Sequence, residues 1–171
     1  MKKLGILLAS LFVMTLAMQS VNAQNQQVGA TATATATIVE ALSISKEADL
    51  KFGKIIAAST AGQVQIQTNG SRTIASGDVV LFNEGSDHQA ASFKVSGTPN
   101  KTYSLDFPAT ISLTGPTGST PMTVEGFVHN TQGILNDSGE DTFAVGATLN
   151  VGANQAPGQY TGTFTVTAAY N

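Results

Sequence analysis

The last stretch of the chain constrains its fold more than any other. Residues 158–171 read GQYTGTFTVTAAYN. Tyr160, Gly162, Phe164, Val166, Ala168 and Tyr170 fall on one side of an extended strand, and Gln159, Thr161, Thr163, Thr165 and Thr167 on the other. Strand side chains alternate with a period of two, so this is one apolar face and one hydroxyl face. Coiled as a helix, the same residues would spread Phe, Val and Tyr around the whole circumference. At about 3.3 Å per residue the alternating part, residues 160–170, is about 36 Å long, enough to cross a β-sandwich. Burying Phe164, Val166 and Tyr170 contributes about 1.5–3 kcal/mol each, a large share of a domain's marginal stability. A buried final strand over residues 158–171 is therefore expected.

The chain opens with Lys2 and Lys3, an apolar run from Leu4 to Ala17, and a small-residue end at Val21-Asn22-Ala23. That pattern is a secretory signal cut after Ala23. The apolar run is too short for a membrane span, which needs about 20 residues. Export to the periplasm, the cell surface or the medium is expected, with no membrane span once the signal is removed. Residues 24–29 read as a polar tail, and residues 30–171 as a single domain. Removing residues 1–23 from 171 leaves 148, which suits one domain with a core of its own. Cys is absent, so the fold does without the disulfides that export would permit. Eight Lys and Arg face eleven Asp and Glu. Lys2 and Lys3 leave with the signal, so the mature chain is acidic, which disfavours nucleic acid and anionic membranes as partners.

Along the mature chain the pattern is all strand. Residues 30–37 read ATATATAT and run into Ile38, Val39, Leu42 and Ile44. Thr favours strands and Ala is small, so a first strand packed closely on a neighbour is expected. The same segment also suits a strand offered to another molecule. Residues 49–56 (DLKFGKII) place Leu50 and Phe52 on one face and stop at Gly53. Residues 63–68 (QVQIQT) lead into Asn69-Gly70, the strongest short hairpin signal. Further strands are read over residues 72–75, 79–82, 91–96, 102–107, 111–114 and 122–127, and along Phe143, Val145, Ala147 and Leu149. Residues 83–89 and 130–141 read as polar loops. With no capped i, i+3, i+4 stripe after the signal, about eight to ten short strands predict an all-β sandwich.

Residues able to carry chemistry are few. His88 and His129 lack ligand spacing, and no G-x-S-x-G elbow is present. Asn136, Asp137, Glu140 and Asp141 offer hard oxygens that would suit Ca²⁺, although a solvated turn explains them equally. Asp78, Glu84 and Asp87 are the carboxylates a glycosidase pair would draw on. An exposed Tyr103 or Tyr160 would stack on a sugar, but Tyr160 lies on the apolar face of its strand and Trp is absent, so a core role is the expectation. No convergent catalytic set emerges, so the expectation is a non-enzyme without cofactor or bound metal.

The ordered set of segments also resembles a family of secreted bacterial β domains known only as domain of unknown function four-four-zero-two. The segments are the Ala/Thr-rich opening into Leu42-Ser43-Ile44, then Leu50-Lys51-Phe52-Gly53, then Ala91-Ser92-Phe93 through Gly97. They continue with Thr102-Tyr103-Ser104-Leu105, Met122-Thr123-Val124, and the ending AxGxYxGTFTVTxxY from Ala156 to Tyr170. That family is similar to spore coat protein U domains and distantly to chaperone–usher pilins, whose last strand carries a Gly and a penultimate Tyr, as Gly158 and Tyr170 do here. The resemblance implies an immunoglobulin-like, pilin-like sandwich and a structural or adhesive surface component. Its partners would be itself or related subunits by strand addition, with a periplasmic chaperone. Ala32, Ala34, Ala36, Ile38, Gly158, Tyr160, Phe164, Val166 and Tyr170 are the corresponding assembly-strand candidates. The alternative is an extracellular carbohydrate-binding module. Pilins usually carry a disulfide and a bulkier donor arm than this Ala-rich opening. Either residues 30–37 are themselves the donor or the sandwich is complete alone, which the sequence slightly favours.

Overall fold

The computed structural model describes residues 27–82 and 87–171; the expected signal, residues 1–23, lies outside them. Residues 38–171 form one compact unit, and the described residues contain thirteen strands and no helix. The principal sheet has seven antiparallel strands. Its path runs β1 (Ser43–Ala48), β8 (Ala91–Ser96), β12 (Glu140–Val151), β11 (Met122–His129) and β10 (Thr110–Leu113). Two more, β4 (Gly62–Ile66) and β5 (Arg72–Ser76), branch from β12.

The long strand β12 is the spine of this sheet, because one of its edges serves two neighbours in turn. Residues 140–145 pair with β8, and residues 147–151 pair with β4. Gly146 sits at the fork. A Cβ there would lie 2.2 Å from the Ile66 carbonyl oxygen, so only glycine lets the branches come this close. The predicted alternation of β12 holds: Phe143, Val145, Ala147, Leu149 and Val151 are all buried. Ala91, Phe93 and Val95 alternate likewise on β8. The Asn69-Gly70 signal closes the β4–β5 hairpin, with Gly70 in the left-handed region and its N–H on the Gln67 carbonyl at 2.9 Å.

A second, discontinuous layer covers one face of this sheet. It consists of β9 (Tyr103–Asp106) with β13 (Thr167–Tyr170), β2 (Lys51–Phe52) with β7 (His88–Gln89), and β3 (Ile55–Ile56) with β6 (Val80–Leu81). Two core clusters follow from that division. One joins Phe93, Val95, Phe143 and Val145 to Tyr103, Leu135 and Val166. The other joins Val64, Val124, Ala147, Leu149 and Val151, with Leu50, Phe52 and Ile55 packed against them. The fragmentation of this layer into two-residue ladders is why there are thirteen strands rather than eight to ten.

Three sequence expectations are corrected. Residues 30–37 form no strand, and residues 27–40 are exposed throughout. Fixing a residue's backbone costs about 1–2 kcal/mol, which a buried Ala methyl does not offset. The last stretch is not one continuous strand either. Only residues 167–170 join a ladder, preceded by an isolated bridge between Thr114 and Thr161. The side-chain alternation nevertheless holds over residues 164–166, with Val166 buried and Phe164 half-buried. The expected polar loop over residues 130–141 carries a core residue, Leu135, and its last two residues belong to β12. Tyr103, which a sugar-stacking role would need at the surface, is 3% exposed, as the core reading of this residue expects.

Candidate functional site

The broken second layer leaves a cleft where a continuous sheet would have a further strand. Its larger part, about 1090 Å³, lies between residues 49–57 and residues 154–164. Its floor is apolar, made by Leu113, Met122, Leu149 and Val151. A narrower recess of about 300 Å³ continues between residues 44–49 and residues 162–166. Asp49, Gly162 and Phe164 line both parts, so the two form one trough.

Each wall of the trough is held from behind. On the C-terminal wall, Thr114 and Thr161 exchange backbone hydrogen bonds of 2.8 and 2.9 Å. Gly162 lies so close to β10 that a Cβ would come 2.4 Å from the Ser112 carbonyl oxygen. Tyr160 braces the bend before it: its hydroxyl donates to the Ala156 carbonyl at 2.9 Å and accepts from Gln155 Nε2 at 2.7 Å. The Phe164 ring stands edge-on to Phe93 at 6.0 Å and tilted against Phe127 at 5.0 Å. Beyond Thr161, residues 162–165 make no backbone–backbone hydrogen bond to any described residue. On the opposite wall β1 pairs with β8 by one edge only, leaving the other open at the end of the sheet. Lys46 grips Asp49 on this rim at 2.5 Å and holds its carboxyl below the usual carboxylate range. Beyond the residues that line the trough, Tyr170 ties the last strand to the start of the compact unit. Its hydroxyl donates to the Glu40 carbonyl at 3.0 Å and accepts from the Thr98 N–H at 2.7 Å.

The assembly-strand candidates thus divide. Gly158, Tyr160 and Phe164 line the larger part of the trough and Val166 the narrower recess, whereas Tyr170 lies outside both and bonds to Glu40. Ala32, Ala34, Ala36 and Ile38 sit in the exposed, strandless segment. Sequence reading missed the facing wall, residues 49–57, which DLKFGKII signalled only as a strand ending at Gly53.

The acidic residues are not gathered for chemistry. Asn136 Oδ1 accepts from the Ser138 and Glu140 N–H groups at 2.9 and 3.0 Å, closing a turn. Glu140 pairs with Lys94 at 2.7 Å. Asp137 is exposed, and Asp141 is turned toward Tyr103. Among the described residues no group of three or more His, Asp or Glu could hold a metal ion. Asp78 accepts from Thr60 at 2.9 Å on the surface, whereas Asp87 lines the trough; Glu84 lies outside the described residues. His129 stacks on Phe107 at 5.6 Å, and His88 sits opposite Phe52 in the β2–β7 ladder.

Residues 42–170 match the family model described as "Domain of unknown function (DUF4402)". The chain belongs to this family. The DUF4402 match takes in both walls of the trough and begins after the Ala/Thr segment. No curated protein and no solved structure matches the chain.

The Tyr103 network ties the DUF4402 domain's second layer to its spine. The Tyr103 hydroxyl donates to Asp141 Oδ2 at 2.7 Å, and Thr131 Oγ1 donates to the same oxygen. Burial, with the nearby Asp141 carboxylate, pushes the Tyr103 hydroxyl up to about 12. The folded state therefore holds this proton where the unfolded chain has lost it. Stability present below pH about 10 should fall as pH rises toward about 12. Tyr103→Phe should cost about 1.5–3 kcal/mol at neutral pH, as expected for a hydrogen bond to a charged group. It should also flatten the alkaline slope. Urea unfolding across a pH series reads both effects, and an unchanged slope would refute the assignment.

Proposed function

We propose that this protein is an exported structural or adhesive component of the cell surface, a pilin-like subunit that assembles by strand addition. The observation that carries the reading is the trough between two backbone edges, one on β1 and one on residues 162–165, that lack ladder partners. Unpaired N–H and C=O groups along a sheet edge form a template for another strand, and natural proteins normally cover or charge such edges. The signal sequence supports export, and the acidic, thinly charged mature chain suits a surface component. No enzymatic step is proposed. A carbohydrate-binding module would need an aromatic face at the surface. Tyr103 is buried and the Tyr160 ring lies against Gly115, so neither favours that alternative.

Light scattering on the exported protein, recovered after secretion and studied over a range of concentrations, tests the reading. Self-association that grows with concentration is expected. A strictly monomeric species at every concentration, with saturable binding to one sugar on a glycan array, would replace this reading with the carbohydrate-binding one.

A further inference from the structure

We propose that Arg72 sets the width of the trough: its guanidinium clasps the wall of residues 49–57, and without that grip the wall moves outward while the principal sheet stays folded. The inference concerns the trough whatever comes to lie in it, and so goes beyond the assembly reading.

The Asn69-Gly70 turn places the clasp. The Gln67 N–H donates to the Ser71 carbonyl at 2.9 Å and the Ser71 N–H to Asn69 Oδ1 at 3.0 Å, so Arg72 opens β5 directly opposite Ile66. Side chains directly opposed on neighbouring strands share a face. Ile66 is fully buried, so Arg72 leaves β5 on the side of the second layer. There Nη1 donates to the Phe52 carbonyl at 2.8 Å and to the Lys54 carbonyl at 3.1 Å, and Nη2 donates to the Phe82 carbonyl at 3.0 Å. A guanidinium is planar, carries five N–H donors and is not deprotonated in proteins. One side chain thus ties three backbone carbonyls.

The wall is shaped to be held this way. Gly53, between the two carbonyls that share Nη1, has a φ of 74°, which bends the chain around the guanidinium. A Cβ at Gly53 would run into Arg72 Nη1 and Asp87 Oδ1. The missing side chain is the space in which the cation and Asp87, itself a trough residue, approach the backbone of the wall. Gly53 therefore does more than end a strand: it makes room for the clasp.

The ladders along the wall are short. β2 pairs with β7 and β3 with β6 over two residues each, and neither ladder joins the principal sheet. Phe52 and Ile55 pack on the second core cluster, which keeps the wall seated. Arg72 crosses from the principal sheet to the wall with charge-assisted hydrogen bonds, which are stronger than neutral ones. Short, partly exposed ladders open at lower cost than a long central strand such as β12. Loss of Arg72 should be felt at the wall before it is felt along β12.

The test combines hydrogen exchange with a distance measured across the trough in the full exported chain. The protein has no cysteine, so spin labels at Lys51→Cys and Gln159→Cys, both exposed and on opposite walls, report the width. Labels at Ser45→Cys and Thr123→Cys, exposed on β1 and β11, report the principal sheet. Arg72→Met should lengthen and broaden the distance across the trough. It should also speed amide exchange over residues 49–57 about tenfold or more, the order expected for lost charged hydrogen bonds. The distance across the sheet and the exchange along β12 should match the parent. Gly53→Ala, which displaces the guanidinium while leaving Arg72 in the sequence, should widen the trough in the same way. Where Arg72→Met does not fold, Arg72→Lys carries the test, since an ammonium keeps the charge but cannot span three carbonyls. An unchanged distance across the trough would overturn the proposal. So would exchange that rises equally over residues 49–57 and β12, which would make Arg72 a prop of the whole fold.

Discussion

Phe143→Ala should lower the unfolding free energy by about 3–5 kcal/mol, the cost of deleting a large buried aromatic and leaving its cavity. Phe143 lies on the spine strand directly opposite Phe93, and the two rings stack at 5.8 Å with an interplanar angle of 23°. His129 meets the Phe143 ring edge-on at 6.4 Å. Phe93 in turn supports Phe164, so the loss should reach the wall of the trough. Against a total stability of about 5–15 kcal/mol this is a large fraction. Urea unfolding measures it. A loss below about 1 kcal/mol would mean that the site collapses around the missing ring, and that the stacked pair is not the centre of the first core cluster.

Leu135→Ala should cost about 2–5 kcal/mol, whereas Ile134→Ala beside it should fall within about 0.5 kcal/mol of the parent. Leu135 is 0% exposed and Ile134 51% exposed. The Leu135 N–H donates to the Lys101 carbonyl at 3.0 Å and its own carbonyl accepts from the Asn100 N–H at 3.2 Å. These bonds clamp the loop against the start of β9, so Leu135 acts as its anchor in the core. Thermal or urea unfolding of the two variants side by side provides the comparison. Equal effects would show that the loop does not depend on this one side chain.

Much of the fold was legible because burial imposes a period of two. Phe143 to Val151 and Ala91 to Val95 announced their faces without help from partners. The Asn69-Gly70 hairpin was legible because its turn geometry is local. What failed was non-local. Residues 30–37 have an ideal strand rhythm, but rhythm alone does not say whether a strand finds a neighbour, and Ala gives burial little to work with. Phe164 and Val166 kept their inward alternation while residues 162–165 gained no ladder, since side-chain burial and backbone pairing are separate requirements. Leu135 was hidden because Ile134-Leu135 is a lone apolar pair among polar neighbours, with no period to say which of the two is buried. The trough was illegible for a further reason. It is a relation between two distant segments, residues 49–57 and 154–164, and neither carries a mark of the other.

The bond between Tyr170 and Glu40 spans 130 positions of sequence, so the compact unit ends where it begins. The Thr98 N–H also donates to the Tyr170 hydroxyl, and the Glu40 N–H donates to Thr98 Oγ1, so three segments meet at this corner. Strain arriving at Glu40 would thus be shared between the penultimate tyrosine and Thr98, the residue that follows β8 and Gly97.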